Sequence, residues 1–279
     1  MIHSFIESWP LFEETYLAGW LLALLLALAG VVVVARDRVF VAAAVSQASL
    51  LGVGVGLWLA HWPEAPSWVA HAAHPAVLAV ALAVLAALLT DAPGRADAGQ
   101  AVTGWTFLAA ASGSVLLLTH TPIALKEIHE RMASGVIGAS WNDVAVFATL
   151  AGLALLLAIS YHRPLALLIL DRQMALALGM RVWRWEVLLA VWLGLVLGVG
   201  IRACGLLYVF GCLVLPGIAA RSLCRRFASM FVVAPVLGLL AAGAGFLLAN
   251  HYDHPPAQMT VSLLAAVAAV AWFARKLLR

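Results

Sequence analysis

Runs of roughly 20 apolar residues, parted by short polar breaks, recur along the whole of this chain. A helix of that length crosses a hydrocarbon core about 30 Å thick, and it satisfies its own backbone hydrogen bonds where no water is available to do so. The runs are too long and too uniformly apolar for the alternating ten-residue segments of a membrane barrel. Composition agrees: of 279 residues, 65% are hydrophobic and 10% charged, with mean hydropathy +1.04, where soluble domains carry about 25% charged residues. A soluble enzyme, a nucleic-acid module and a disulfide-rich secreted domain are excluded. The expected fold is an all-α, polytopic transmembrane helical bundle forming a single domain over residues 1–279.

The breaks predict spans at about 16–35, 41–60, 69–90, 101–119, 143–161, 185–201, 204–221, 231–250 and 258–274. The sixth and seventh are separated only by Arg202 and Ala203. One of these two could be a short helix buried in protein, which gives eight or nine spans. The first span is expected to be a full crossing and not a cleaved leader, because Glu7, Glu13 and Glu14 precede it where such a leader would be basic.

Orientation follows from the basic residues. With the N-terminus outside and the C-terminus inside, the inner loops collect all of the 16 Lys and Arg except Lys126, Arg131 and Arg202, as the positive-inside rule requires. Most Trp residues, among them Trp9, Trp20, Trp58 and Trp272, fall near span ends, where amphipathic rings sit at headgroup level. Small residues spaced four apart, as in Gly194 with Gly198, Gly52 with Gly56 and Gly238 with Ala242, predict close helix packing. Cys204, Cys212 and Cys224 form neither a disulfide framework nor a Cys-x-x-Cys pair and read as packing residues.

The longest inner connection, 162–184, reads HRPLALLILDRQMALALGMRVWR. Leu167, Leu170, Met174 and Leu178 recur at helical spacing, so a short helix is expected at the inner surface, resting on lipid or docking a soluble partner. On the outer side, His71 and His74 share a face at a helix start, and His251, Asp253 and His254 crowd one turn. Imidazole and carboxylate together suit a divalent transition metal, which makes these five the candidate metal contacts.

Several chemistries are missing. An intramembrane metalloprotease needs His-Glu-x-x-His, and after His129 and Glu130 position 133 is Ala. A proton-coupled carrier usually places an ionisable group deep in a span. Here the polar residues of the second span are Ser46, Gln47 and Ser49, which are neutral and form the candidate lining of a translocation pathway. No Gly-Lys-Ser/Thr occurs, so the chain has no P-loop, and ATP hydrolysis, if used, falls to a separate subunit.

Three stretches carry a likeness to a known family: ARDRVFVAAAVSQASLLGVGVG, LDRQMALALGM, and CGLLYVFGCLVLPGIAARSLCRRFASM followed by NHYDHPPA. Over nearly its full length the chain resembles the ABC-3 family of permease subunits from bacterial zinc, manganese and iron importers. The resemblance implies that Asp171, Arg172, Met174, Ala175, Leu178 and Gly179 form a cytoplasmic coupling element, and that Val214, Leu215, Pro216 and Ala220 match the family's late helix. It further implies a multi-pass inner-membrane protein, a homodimer, a cytoplasmic ABC ATPase and an extracytoplasmic metal-binding protein. The cargo would be a divalent metal ion, with no covalently bound cofactor, no catalysis by this chain and no nucleic-acid partner.

Zinc is expected ahead of manganese or iron, from the outer His residues and the lack of a mid-span carboxylate. One departure stands out. Family members usually have Asp and His four residues apart in the second span, where this chain has Ala43 and Gln47. The ion is then held by other groups such as Ser46 and Gln47, or passes a weak polar lining, or travels as a chelate. A siderophore- or cobalamin-type permease is the nearer alternative, and a secondary carrier the more distant one.

Overall fold

The computed structural model describes residues 2–60, 74–90, 96–119 and 139–277. Every regular element among them is a helix: α1 (Ile2–Ala35), α2 (Val39–Ala60), α3 (Pro75–Thr90), α4 (Ala96–Thr119), α5 (Trp141–Leu170), α6 (Arg172–Ala177), α7 (Val182–Cys204), α8 (Leu206–Leu223), α9 (Phe227–Tyr252) and α10 (Pro256–Leu277). Eight of them are long and apolar enough to cross a membrane, and α3 is a shorter apolar helix within the expected third span. The first five residues of that span, 69–73, lie outside the described residues.

Two expectations are corrected. The break between the sixth and seventh spans is not at Arg202 and Ala203, because α7 runs through both to Cys204 and the chain turns at Gly205, whose φ is +77°. Arg is a good helix former, and glycine takes positive φ without a Cβ penalty, so the backbone breaks at the glycine and not at the charge. Both α7 and α8 are of spanning length. The inner connection, in turn, is not one amphipathic helix. Leu167 and Leu170 belong to the end of α5, which bends at Tyr161 ahead of Pro164, and Met174 lies in the separate α6. Proline removes a ladder hydrogen bond and crowds the carbonyl four residues back, which accounts for that bend.

The expected single domain divides by its packing into two compact units. The first comprises residues 1–38, 133–180 and 203–279. In it α1 packs on α8, α9 and α5, and α10 packs on α8 and α9. Gly30 of α1 touches the main chain of α8 so closely that any Cβ would meet the Leu213 carbonyl oxygen. Tyr208 is fully buried; its hydroxyl donates to the Gly19 carbonyl at 2.8 Å, and its ring stacks on Phe246. That hydrogen bond satisfies the one polar atom of an otherwise apolar side chain.

The second unit comprises residues 39–132 and 181–202. There α2 lies against α3 and α4. Gly194 and Gly198 admit α3 to the surface of α7, an ideal Cβ on them falling 2.6 Å from Val84 Cα and 2.7 Å from Val80 Cα. This is the close approach that their four-residue spacing predicts. None of the three cysteines forms a disulfide; Cys204 and Cys212 are buried and Cys224 partly so, and burial pushes the Cys224 thiol upward.

Candidate functional site

The residues expected to couple form one local structure. Asp171 leaves the helical conformation at the end of α5, and its carboxylate accepts the Met174 backbone N–H at 2.9 Å, capping α6. An Asp at this position satisfies an otherwise unpaired donor and suits the positive helix end. At the other end Gly179 takes φ +78°, while the N–H groups of Gly179 and Met180 bond the carbonyls of Leu176 and Ala175, both at 3.0 Å. This is a Schellman closure, in which a left-handed residue recovers the last carbonyls of the helix. Ala175 is fully buried and anchors the element, whereas Met174 is 49% exposed and Leu178 63% exposed. Arg172 is also exposed. A rigid, capped turn of helix therefore presents apolar side chains outward.

On α2 the half-buried positions Ala43, Gln47, Leu51 and Val55 recur at helical spacing, and Gln47 is the one polar side chain in that row. Ser46 and Ser49 are fully buried within the second unit. The Ser46 hydroxyl donates to the Ala42 carbonyl at 2.8 Å, and the Ser49 hydroxyl has no partner among the described residues. On α4, Thr106 and Ser114 donate likewise to carbonyls of their own helix. Such back-bonding uses the hydroxyl proton and holds the side chain against its own backbone. Of the three candidate pathway residues, only Gln47 stands on the half-open face.

Among the described residues, the outer candidates form no metal-holding group. His251, Asp253 and His254 share the end of α9, where Asp253 adopts φ 52° and the His254 N–H bonds the Ala249 carbonyl at 3.0 Å. The Tyr252 ring stands next to both imidazoles, 4.8 Å from that of His251 and 6.3 Å from that of His254. His74 precedes α3 and accepts the Ala76 N–H on Nδ1 at 3.3 Å. His71 lies outside the described residues. No three His, Cys, Asp or Glu side chains come together as a metal-holding group among the described residues.

One arrangement has no counterpart in the sequence reading. Arg221, near the end of α8, pairs with Asp37 in the α1–α2 turn and donates to the Val34 carbonyl at 3.0 Å. Arg275 of α10 donates in turn to the Arg221 carbonyl at 3.1 Å. Three helix ends of the first unit are thus tied together. The only local signal is an Asp set among basic residues, and the partners stand 184 positions apart.

With this geometry in view, comparison with known proteins is informative. A family model described as the ABC 3 transport family matches residues 8–275. The chain belongs to the ABC 3 transport family. Among relatives, the manganese transport system membrane protein MntC of Halalkalibacterium halodurans is 25% identical over 266 residues, covering 95% of this chain and 88% of that protein. The chelated iron transport system membrane protein YfeD of Yersinia pestis is 29% identical over 118 residues, covering 42% and 40%. The fold matches a chain of PsaBC from Streptococcus pneumoniae, solved in complex with Fab, with TM-score 0.80 and 17% identity over 98% of this chain and 95% of that one. Membership of the ABC 3 transport family and eight helices of spanning character make this a multi-pass protein of the inner membrane.

Proposed function

We propose that this protein is the membrane-spanning subunit of an ATP-driven importer for a transition metal, with zinc the first candidate and manganese and iron next. The observation that carries the proposal is α6: a capped helix of six residues, anchored by Ala175, that holds Met174 and Leu178 exposed. An apolar patch held rigidly at the end of a membrane bundle suits contact with a soluble subunit better than it suits water. The basic-residue count puts it on the cytoplasmic side, where an ABC ATPase would dock.

The permease works as a homodimer that receives metal from an extracytoplasmic binding protein and performs no covalent chemistry. Closure of the ATPase subunits shifts the membrane bundle between outward and inward access only through contacts that differ between the two states. The α6 element is the carrier of that difference.

A chelated cargo is the second reading, and one observation favours it. The half-open face of α2 offers an amide at Gln47 and no charged ligand, whereas a bare divalent ion leaving water needs oxygen or nitrogen donors in number. The named cargo of the two relatives divides along the same line, manganese for one and chelated iron for the other.

Whole-cell elemental analysis of a deletion strain under metal limitation tests the proposal. A selective deficit in zinc, manganese or iron, restored by the wild-type gene, is the expected result. Normal content of all three metals, with uptake of an iron chelate intact as well, would sink it.

A further inference from the structure

Within the first unit, where the start of α1 meets the end of α9 and the start of α10, an open pocket of about 470 Å³ is lined mainly by apolar side chains, with four polar residues among them. Tyr16 and Phe246 form the floor, 5% and 1% exposed, their ring centroids 5.6 Å apart. The polar groups are Thr15, Asn250, Asp253 and His254. Thr15 is 7% exposed. Neither its hydroxyl nor the side chains of Asn250 and Asp253 have a hydrogen-bond partner among the described residues. These groups are open to a ligand that supplies donors.

The chemistry narrows the ligand. Three acceptors without donors, the Thr15 oxygen, the Asn250 amide oxygen and the Asp253 carboxylate, match the three N–H groups of a primary ammonium. Glu13 and Glu14 on α1 add negative charge beside the pocket, which disfavours an anion. A metal ion finds too few ligands, since Asp253 and His254 belong to no group of three among the described residues.

The position narrows it further. The pocket lies at the ends of three spans, Trp9–Ala35, Phe227–Tyr252 and Pro256–Leu277, which sets it at headgroup level. His254 can donate to a phosphate beside the ammonium. We propose that this pocket binds the headgroup of an aminophospholipid, with the ammonium on Thr15, Asn250 and Asp253 and the first part of the lipid tail on Phe12 and Pro255. Bound there, the lipid bridges α1, α9 and α10.

The test uses the full-length protein, stripped of lipid in detergent and titrated by native mass spectrometry. The probes are phosphatidylethanolamine, phosphatidylglycerol with the same chains, and free phosphoethanolamine. Wild type is expected to bind the ethanolamine lipid about tenfold more tightly than the glycerol lipid, and Asp253→Asn to lose that preference. Asparagine tolerates the left-handed backbone at 253, so the end of α9 is retained, and an unchanged melting temperature without lipid verifies this. Thr15→Val, isosteric and apolar, is the second variant, with an expected loss of about threefold. Equal affinity of wild type for the two lipids, an undiminished preference in both variants, or equally tight binding of free phosphoethanolamine would overturn the assignment.

Discussion

Arg221 and Asp37 pair through guanidinium and carboxylate, and Asp37 does so from a left-handed backbone conformation, φ 53°. The turn that holds it is a Schellman closure of α1, the N–H groups of Arg38 and Asp37 bonding the carbonyls of Val33 and Val34 at 2.9 and 3.2 Å. Pair and turn can be separated by substitution. Both side chains are substantially exposed, so the ion pair alone contributes at most about 1 kcal/mol. Asp37→Asn and Asp37→Gly keep the turn and lose the pair, which predicts a fall of only a few degrees in melting temperature in detergent. Asp37→Ala adds left-handed strain of about 1–2 kcal/mol and is expected to fall further than either. Equal melting temperatures for the three variants would show that the turn carries no strain.

Gly179 presents the same backbone problem with no steric component. An added Cβ there would meet nothing within 4 Å, yet the residue sits at φ +78°. Gly179→Val is therefore expected to abolish metal uptake while leaving membrane insertion intact, because a β-branched side chain opposes the turn that closes α6 and not any neighbour. Gly179→Asn, which tolerates the left-handed region, is expected to retain most of the uptake. Uptake assays beside membrane-fraction blots read both quantities, and normal transport by Gly179→Val would remove α6 from the coupling role.

The helices were legible because a spanning run announces itself in twenty consecutive side chains, and a local periodicity placed Met174 and Leu178 on a short inner element. What hydropathy could not weigh was backbone geometry. It put a break at the charge of Arg202, whereas the chain turns three residues later at Gly205, because helix ends are set by φ and ψ and an arginine at a span end can reach the headgroups. Proximity in sequence was equally incomplete as a guide to sites. His251, Asp253 and His254 are adjacent in the turn as expected, but the Tyr252 ring packs beside both imidazoles. The pocket formed by Thr15, Tyr16, Phe246 and Asn250 joins segments more than two hundred residues apart, for which no local pattern exists.

Close helix packing gives a stability contrast between two glycines. Gly30 abuts the Leu213 main chain, a neighbour that cannot rotate away. Gly30→Ala is expected to cost at least about 2 kcal/mol, as an overpacked core does. Gly152, on α5, has open space around it. Gly152→Ala is expected to gain up to about 1 kcal/mol from helix propensity. Thermal unfolding in one detergent, on both variants, checks the opposite signs; no loss in Gly30→Ala would mean that α1 and α8 do not approach as described.

Gln47 and Ser46 are neighbours on α2 with opposite prospects. Ser46 is buried and its hydroxyl is held by the Ala42 carbonyl. Gln47 stands on the half-open face, one turn from Ala43. If cargo passes that face, the amide is the group that meets it, and Gln47→Ala lowers uptake several-fold, while Ser46→Ala, which removes one self-satisfied hydroxyl, changes it by less than about twofold. Metal uptake under limitation, with protein levels matched, measures the difference. A deficit in Ser46→Ala equal to that in Gln47→Ala would place the passage on the buried side of α2, and no deficit in either would move it off this helix altogether.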